Sequence, residues 1–116
     1  MSRKLLTLAF IVIACVVAVP HITAADGPAP RTLQGQVMKH SEVPIPGAIV
    51  YLKNTKTMAV RSFISDKSGN YRFTSLTPNV DYEVYAEYKG AKSDVKTLSS
   101  FDSRQTATIN LKLDVD

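Results

Sequence analysis

The chain has 116 residues, enough for one ordinary domain and too few for two. Its 14 Lys and Arg against 10 Asp and Glu leave a formal charge of +4, and no run of basic residues follows Arg3-Lys4, which argues against nucleic-acid binding. The single cysteine, Cys15, excludes an intrachain disulfide framework and any cysteine-built metal site, so stability has to come from an apolar core.

The first segment is set apart by composition. Arg3 and Lys4 precede a nearly uninterrupted apolar run from Leu5 to Val19, Pro20 breaks it, and Thr23-Ala24-Ala25 offers small residues for cleavage. That is the layout of a secretory signal peptide over residues 1–25, and the run is shorter than the roughly 20 residues a membrane helix requires. Within it, Val12-Ile13-Ala14-Cys15 also resembles a lipobox, which would tether the chain through a lipid on Cys15. The apolar run continuing through Val16 to Val19 speaks for ordinary cleavage instead. Cleavage after Ala25 predicts an exported, periplasmic or extracellular chain with 12 basic against 10 acidic residues and no cysteine.

Residues 26–30, Asp-Gly-Pro-Ala-Pro, form a spacer ahead of a domain spanning 31–116. From Arg31 the pattern has period two: Leu33, Gly35 and Val37 share a face, and Gly35 signals a bulge or a close backbone approach. Lys39 to Gly47 is a loop punctuated by Pro44, Pro46 and Gly47. Ala48, Val50 and Leu52 then point inward, so Ile49, Tyr51 and Lys53 point outward. Asn54 to Thr57 makes a hairpin tip, and Met58 to Ser65 returns. Asp66-Lys67-Ser68-Gly69-Asn70 is a tight turn in which Gly69 takes positive φ and Asp66 bonds its own backbone. Tyr71 and Phe73 follow on one face, Pro78-Asn79 turns a corner, and Tyr82, Val84 and Ala86 point inward on the next strand. Lys92 to Ser100 is at best an edge strand. Phe101 lies in a loop that is expected to fold back onto the core. The last strand sets Ala107, Ile109, Leu111 and Leu113 inward and Thr108, Asn110 and Lys112 outward. About seven short strands with regular turn signals and no helix predict an all-β fold, a seven-stranded antiparallel two-sheet sandwich.

Three stretches carry a family resemblance: Gly35-Gln36-Val37, Pro44 to Leu52, and Ser65-Asp66-x-x-Gly69-x-Tyr71-x-Phe73-x-x-Leu76-x-Pro78. Together they resemble the carboxypeptidase regulatory-like domain over roughly Thr32 to Leu113. The resemblance implies a transthyretin-like β-sandwich and a stabilising or interaction role without catalysis. Asn79 stands where the family usually has glycine, a departure that asparagine's tolerance of the left-handed region would absorb.

The chemistry-bearing residues are sparse. His40 is the one histidine after the signal segment and sits in a polar loop, so neither a catalytic triad nor a histidine-rich site is expected. Asp66 and Asn70 could contribute to a calcium loop, but such a site needs six to eight oxygens and the turn accounts for both residues. An isopeptide bond using Asn110 or Glu83 would need both to be buried, and both alternate outward. No catalytic residue, metal or cofactor is expected.

Alternation turns Tyr51 and Tyr85 outward, and the resembled fold, in which their two strands are neighbours, implies that they meet on one outer face with Ile49 beside them. That face is the candidate surface for an envelope protein or, with Phe101, for a glycan. Cross-strand tyrosine pairs also stabilise sheets without binding anything.

Overall fold

The computed structural model describes residues 29–115, so the signal segment, the Cys15 alternative and most of the spacer lie outside the described residues. Among the described residues nine strands run in the order β1 (Arg31–Lys39), β2 (Ile49–Asn54), β3 (Val60–Ile64), β4 (Asn70–Leu76), β5 (Tyr82–Tyr88), β6 (Ala91–Lys92), β7 (Lys96–Leu98), β8 (Thr106–Thr108) and β9 (Leu111–Leu113). In the first sheet β1 is central, with β4 antiparallel on one side and β8 and β9 parallel on the other. In the second sheet β2 lies between β3 and β5, and both β6 and β7 pair with β5.

This is the expected all-β two-sheet sandwich, with two refinements. The count is nine because two expected strands are each interrupted. Ser93 breaks the edge strand into β6 and β7, its Oγ accepting from the Ala86 amide at 2.8 Å. The C-terminal strand is divided at Ile109-Asn110, and it lies parallel to β1 rather than antiparallel.

The inward positions form one core. Leu33 and Val37 of β1, Tyr71, Phe73 and Leu76 of β4, and Ala107, Leu111 and Leu113 of the C-terminal strands face Val50, Leu52, Tyr82, Val84, Ala86 and Leu98 of the second sheet. Burying one such large apolar side chain contributes about 1.5–3 kcal/mol, so this layer carries the fold.

The division at Ile109 has a specific cause. The Tyr71 hydroxyl donates to the Ile109 carbonyl at 2.5 Å, reaching past β1 from its other neighbour. A Cβ on Gly35 would lie 1.8 Å from that carbonyl oxygen and 2.8 Å from the Tyr71 ring, so only glycine leaves the passage open. The ladder is repaired on both sides: the Ile109 amide donates to Gln34 O at 2.9 Å, and the Gln36 amide donates to Asn110 Oδ1 at 3.0 Å. Pairing keeps one register across the gap, Leu33 with Ala107 and Val37 with Leu111. Burial raises the Tyr71 pKa well above the ordinary tyrosine value, so the hydroxyl remains a donor.

The tight turn forms as the sequence implies. Gly69 has φ +77°, and Asp66 Oδ1 accepts from the amides of Ser68 and Asn70, both at 2.9 Å. The turn is also docked onto β1, because the Val37 amide donates to Gly69 O at 2.7 Å. The Pro78-Asn79 corner differs from expectation. Asn79 is not left-handed; Ser75 is, with φ 61°. The pairing of β1 with β4 slips by one residue between Arg31–Leu76 and Leu33–Phe73, and Ser75 lies in that bulged stretch. The corner itself is held by the Tyr82 hydroxyl, which accepts from the Thr77 amide at 2.9 Å.

Candidate functional site

The outer face of the second sheet is built from the odd-numbered residues of β2 and β5. Tyr51 stands directly opposite Tyr85, Ile49 opposite Glu87 and Lys53 opposite Glu83. The two tyrosine rings stack with centroids 5.2 Å apart and planes inclined by 29°. Lys92, brought alongside by β6, places its ammonium 4.6 Å from the Tyr85 ring centroid. Lys53 and Glu83 form an ion pair at 3.5 Å at one end of the row. The sequence therefore locates this row correctly but misses Lys92, which engages one face of Tyr85. A group docking on the pair has to displace that ammonium or approach over Tyr51. Ile49, at the other end, lines a shallow depression with Gly47 and Tyr88.

Phe101 does not join this face, and it does not fold onto the core: it is 94% exposed. Its loop is organised by polar contacts that leave the ring outside. Buried Arg31 donates through Nη1 to Ser99 O at 3.0 Å and through Nε to Arg104 O at 3.2 Å. The Ser100 amide donates to Asp81 Oδ1 at 2.6 Å. Arg104 grips Asp102 with Nε and Nη2, the shortest contact being 2.6 Å, and these hydrogen bonds hold the Asp102 carboxyl well below the usual carboxylate range. The signal missed in the sequence was Arg31, an arginine at an inward position of the first strand.

Other sequence candidates are accounted for locally. Glu83 is committed to Lys53, and Asn110 is exposed with its amide oxygen closing the β1 ladder. His40 is exposed and lines a depression with Asp94, Lys96, Asn110 and Lys112. Asp66 spends its Oδ1 on the turn. Among the described residues no three His, Cys, Asp or Glu side chains gather as metal ligands would. Nor is any helix among them long and apolar enough to cross a membrane.

A second concavity, about 600 Å³, opens on the first sheet, where Gln34, Gln36, Asn70, Arg72 and Thr108 present amides, a guanidinium and a hydroxyl. It is a hydrogen-bonding surface whose residues the sequence places outward by alternation, without any sign that they enclose a groove.

The family model of the carboxypeptidase regulatory-like domain matches residues 32–114. No curated protein matches the chain. Among solved structures, the major pilin subunit of Bacillus cereus superposes with a TM-score of 0.59 at 14% identity, over 77% of this chain and 31% of the pilin. The pilus 2b backbone protein of group B streptococcus gives 0.55 at 12% identity, over 72% of this chain and 40% of that one. The dioxygenase domain of a dioxygenase carbohydrate-binding protein fusion from Streptomyces sp. SirexAA-E gives 0.57 at 15% identity, over 82% and 86%. The chain thus spans less than a third of the Bacillus pilin subunit, and at these identities the likeness is one of fold.

Proposed function

The chain belongs to the carboxypeptidase regulatory-like domain family, and from that membership we propose that it is a non-enzymatic module with a structural or protein-interaction role in the bacterial cell envelope. The family match over residues 32–114 carries this reading. The likeness to pilin and pilus-backbone domains supports a structural use of the same sandwich. The basic start, apolar run and Thr23-Ala24-Ala25 support export. The partner would be an envelope protein meeting the Ile49, Tyr51 and Tyr85 face, where a stacked aromatic pair offers a rigid anchor.

The stacked pair also favours one second reading, a small glycan-binding module, because sugars dock on aromatic rings with nearby hydrogen-bonding groups such as Lys92. A tagged chain with its native N-terminus, recovered from its own envelope and weighed intact, tests the main reading. A mass beginning at Asp26 with a stoichiometric protein partner is the expected result. A lipid-modified Cys15 would replace cleavage after Ala25 by membrane tethering. Recovery without a protein, together with glycan binding that Tyr51→Ala abolishes in a folded chain, would transfer the function to the second reading.

A further inference from the structure

The edge of the second sheet at β3 is open in a way the other elements are not. All five residues, Val60 to Ile64, are exposed, and among the described residues β3 has a sheet neighbour only at β2. The Ser65 amide donates to Ala48 O, and Ala59 O accepts from the Asn54 amide. Both lie on the same antiparallel register as Phe63–Val50 and Arg61–Leu52. Odd-numbered residues therefore direct their backbone groups to β2, and Val60, Ser62 and Ile64 direct theirs outward. The same three residues carry side chains on the outer face, where Val60 is 57% and Ile64 65% exposed.

Edge strands are usually protected by lysines, proline, a bulge or an inward-pointing charge. β3 contains no lysine or proline, and its pairing with β2 runs without a shift. Arg61 is the one protective device β3 carries, an inward-pointing charge, but it is already engaged within the chain: Nη1 donates to Thr74 O at 3.0 Å, and the guanidinium lies 5.6 Å from the Phe73 ring.

We propose that β3 pairs antiparallel with β3 of a second copy of this chain, about a two-fold axis at Ser62, joining two second sheets into one. This deepens the interaction-module reading, on which it rests, by naming a partner. The strand is self-complementary in that register. Val60 meets Ile64 of the other copy, Ser62 meets Ser62, and the three outward-directed residues of each copy satisfy one another's amides and carbonyls. Each Arg61 lies opposite a Phe63 rather than another cation. A slip of two residues in one direction sets Arg61 against Arg61, and in the other it leaves Val60 unpaired, so the chemistry selects one alignment. A foreign extended segment would satisfy the backbone too, but nothing in β3 selects one.

The test is sedimentation of the chain recovered from its expression host, from about 1 µM to about 1 mM, the range in which a single strand-pair interface associates. The expected result is a monomer–dimer equilibrium that Ser62→Pro, which deletes a central donor, weakens at least tenfold. Ile64→Lys should weaken it as well while leaving the circular dichroism spectrum and melting profile unchanged, which guards against a proline variant that fails to fold. A monomer throughout the range would overturn the proposal. So would a dimer that both folded variants form as strongly as the parent. Either result would leave the envelope reading intact, because that reading rests on side chains of β2 and β5, Ile49, Tyr51 and Tyr85, and not on the outward backbone groups of β3.

Discussion

Two tyrosine environments divide this molecule. Tyr71 is fully enclosed, its hydroxyl tied to the Ile109 carbonyl through a passage that Gly35 keeps clear. Tyr51 and Tyr85 stack on the outside of the other sheet, half-buried, with a lysine over one ring. The first arrangement links β4 to the C-terminal strand across β1 and has one geometry available to it. The second tolerates rearrangement, because its contacts are with water on one side. Of the family-resembling residues, Gly35, Gly69, Tyr71 and Phe73 sit in the enclosed half, while Ile49 and Tyr51 stand on the open one. The enclosed set is spent on the scaffold, so the proposed partner would be met on the open half.

The contrast can be broken most severely at Gly35. Gly35→Ala places a methyl 1.8 Å from a backbone oxygen, and no rotamer relieves a clash with main chain. A loss of about 3 kcal/mol or more in chemical denaturation is expected. A change under about 1 kcal/mol would mean that β1 and Ile109 do not approach as described. Gly69→Val comes next, at about 2 kcal/mol or more, since it combines left-handed backbone strain with a Cβ 2.6 Å from Val37 O.

Tyr71→Phe should cost about 1–2 kcal/mol, the value of a buried hydrogen bond whose acceptor is left unpaired. It also has a pH signature. The folded pKa is raised above the unfolded value of about 10, so the contribution is fully present below pH ~10 and is lost as pH rises toward the folded pKa. Melts taken across the pH range should find the parent more stable than Tyr71→Phe at neutral pH, with that advantage shrinking as pH rises above ~10, where the unfolded tyrosine ionises and the buried one does not.

The enclosed half was largely legible in the sequence. Alternation alone put Leu33, Val37, Val50, Leu52, Tyr82, Val84 and Ala86 inside, and Gly69 and Asp66 announced their turn. What stayed hidden involved contacts distant along the chain. Gly35 announced a close approach, but the approaching group, Ile109, is 74 residues away and shows no mark of it. Phe101 was misplaced for a related reason: apolarity suggests burial, while the Arg31 and Asp81 contacts that orient its loop come from two segments distant along the chain. The candidate face was located by parity together with the strand adjacency that the family resemblance implies, yet Lys92 joins it only because β6 pairs with β5.

On the open half the effects should be smaller. Tyr51→Ala removes one ring of a half-buried stacked pair, so a loss of about 0.5–1.5 kcal/mol is expected. If Tyr51→Ala destabilises as much as Tyr71→Phe, the pair is chiefly a stabilising device of the sheet. If it barely changes stability yet abolishes partner recovery, the face is an interaction surface.

The smallest expected effect lies at Asp102, and it separates local electrostatics from fold stability. Hydrogen bonds from Arg104 favour the ionised carboxylate, so its folded pKa is depressed. The associated stability is present above the unfolded value near pH ~4 and is lost only as pH falls through the folded pKa. Solvent screens this pair, so the effect on melting should be slight. Carboxyl chemical shifts are the better readout: Asp102 should titrate well below other aspartates, and Arg104→Gln should return it most of the way. The loop should nevertheless stay in place in that variant, because Arg31 holds it through the carbonyls of residues 99 and 104, which the substitution leaves intact. A loop that detaches in Arg104→Gln would instead make the surface ion pair, and not the buried arginine, the anchor of the C-terminal strands.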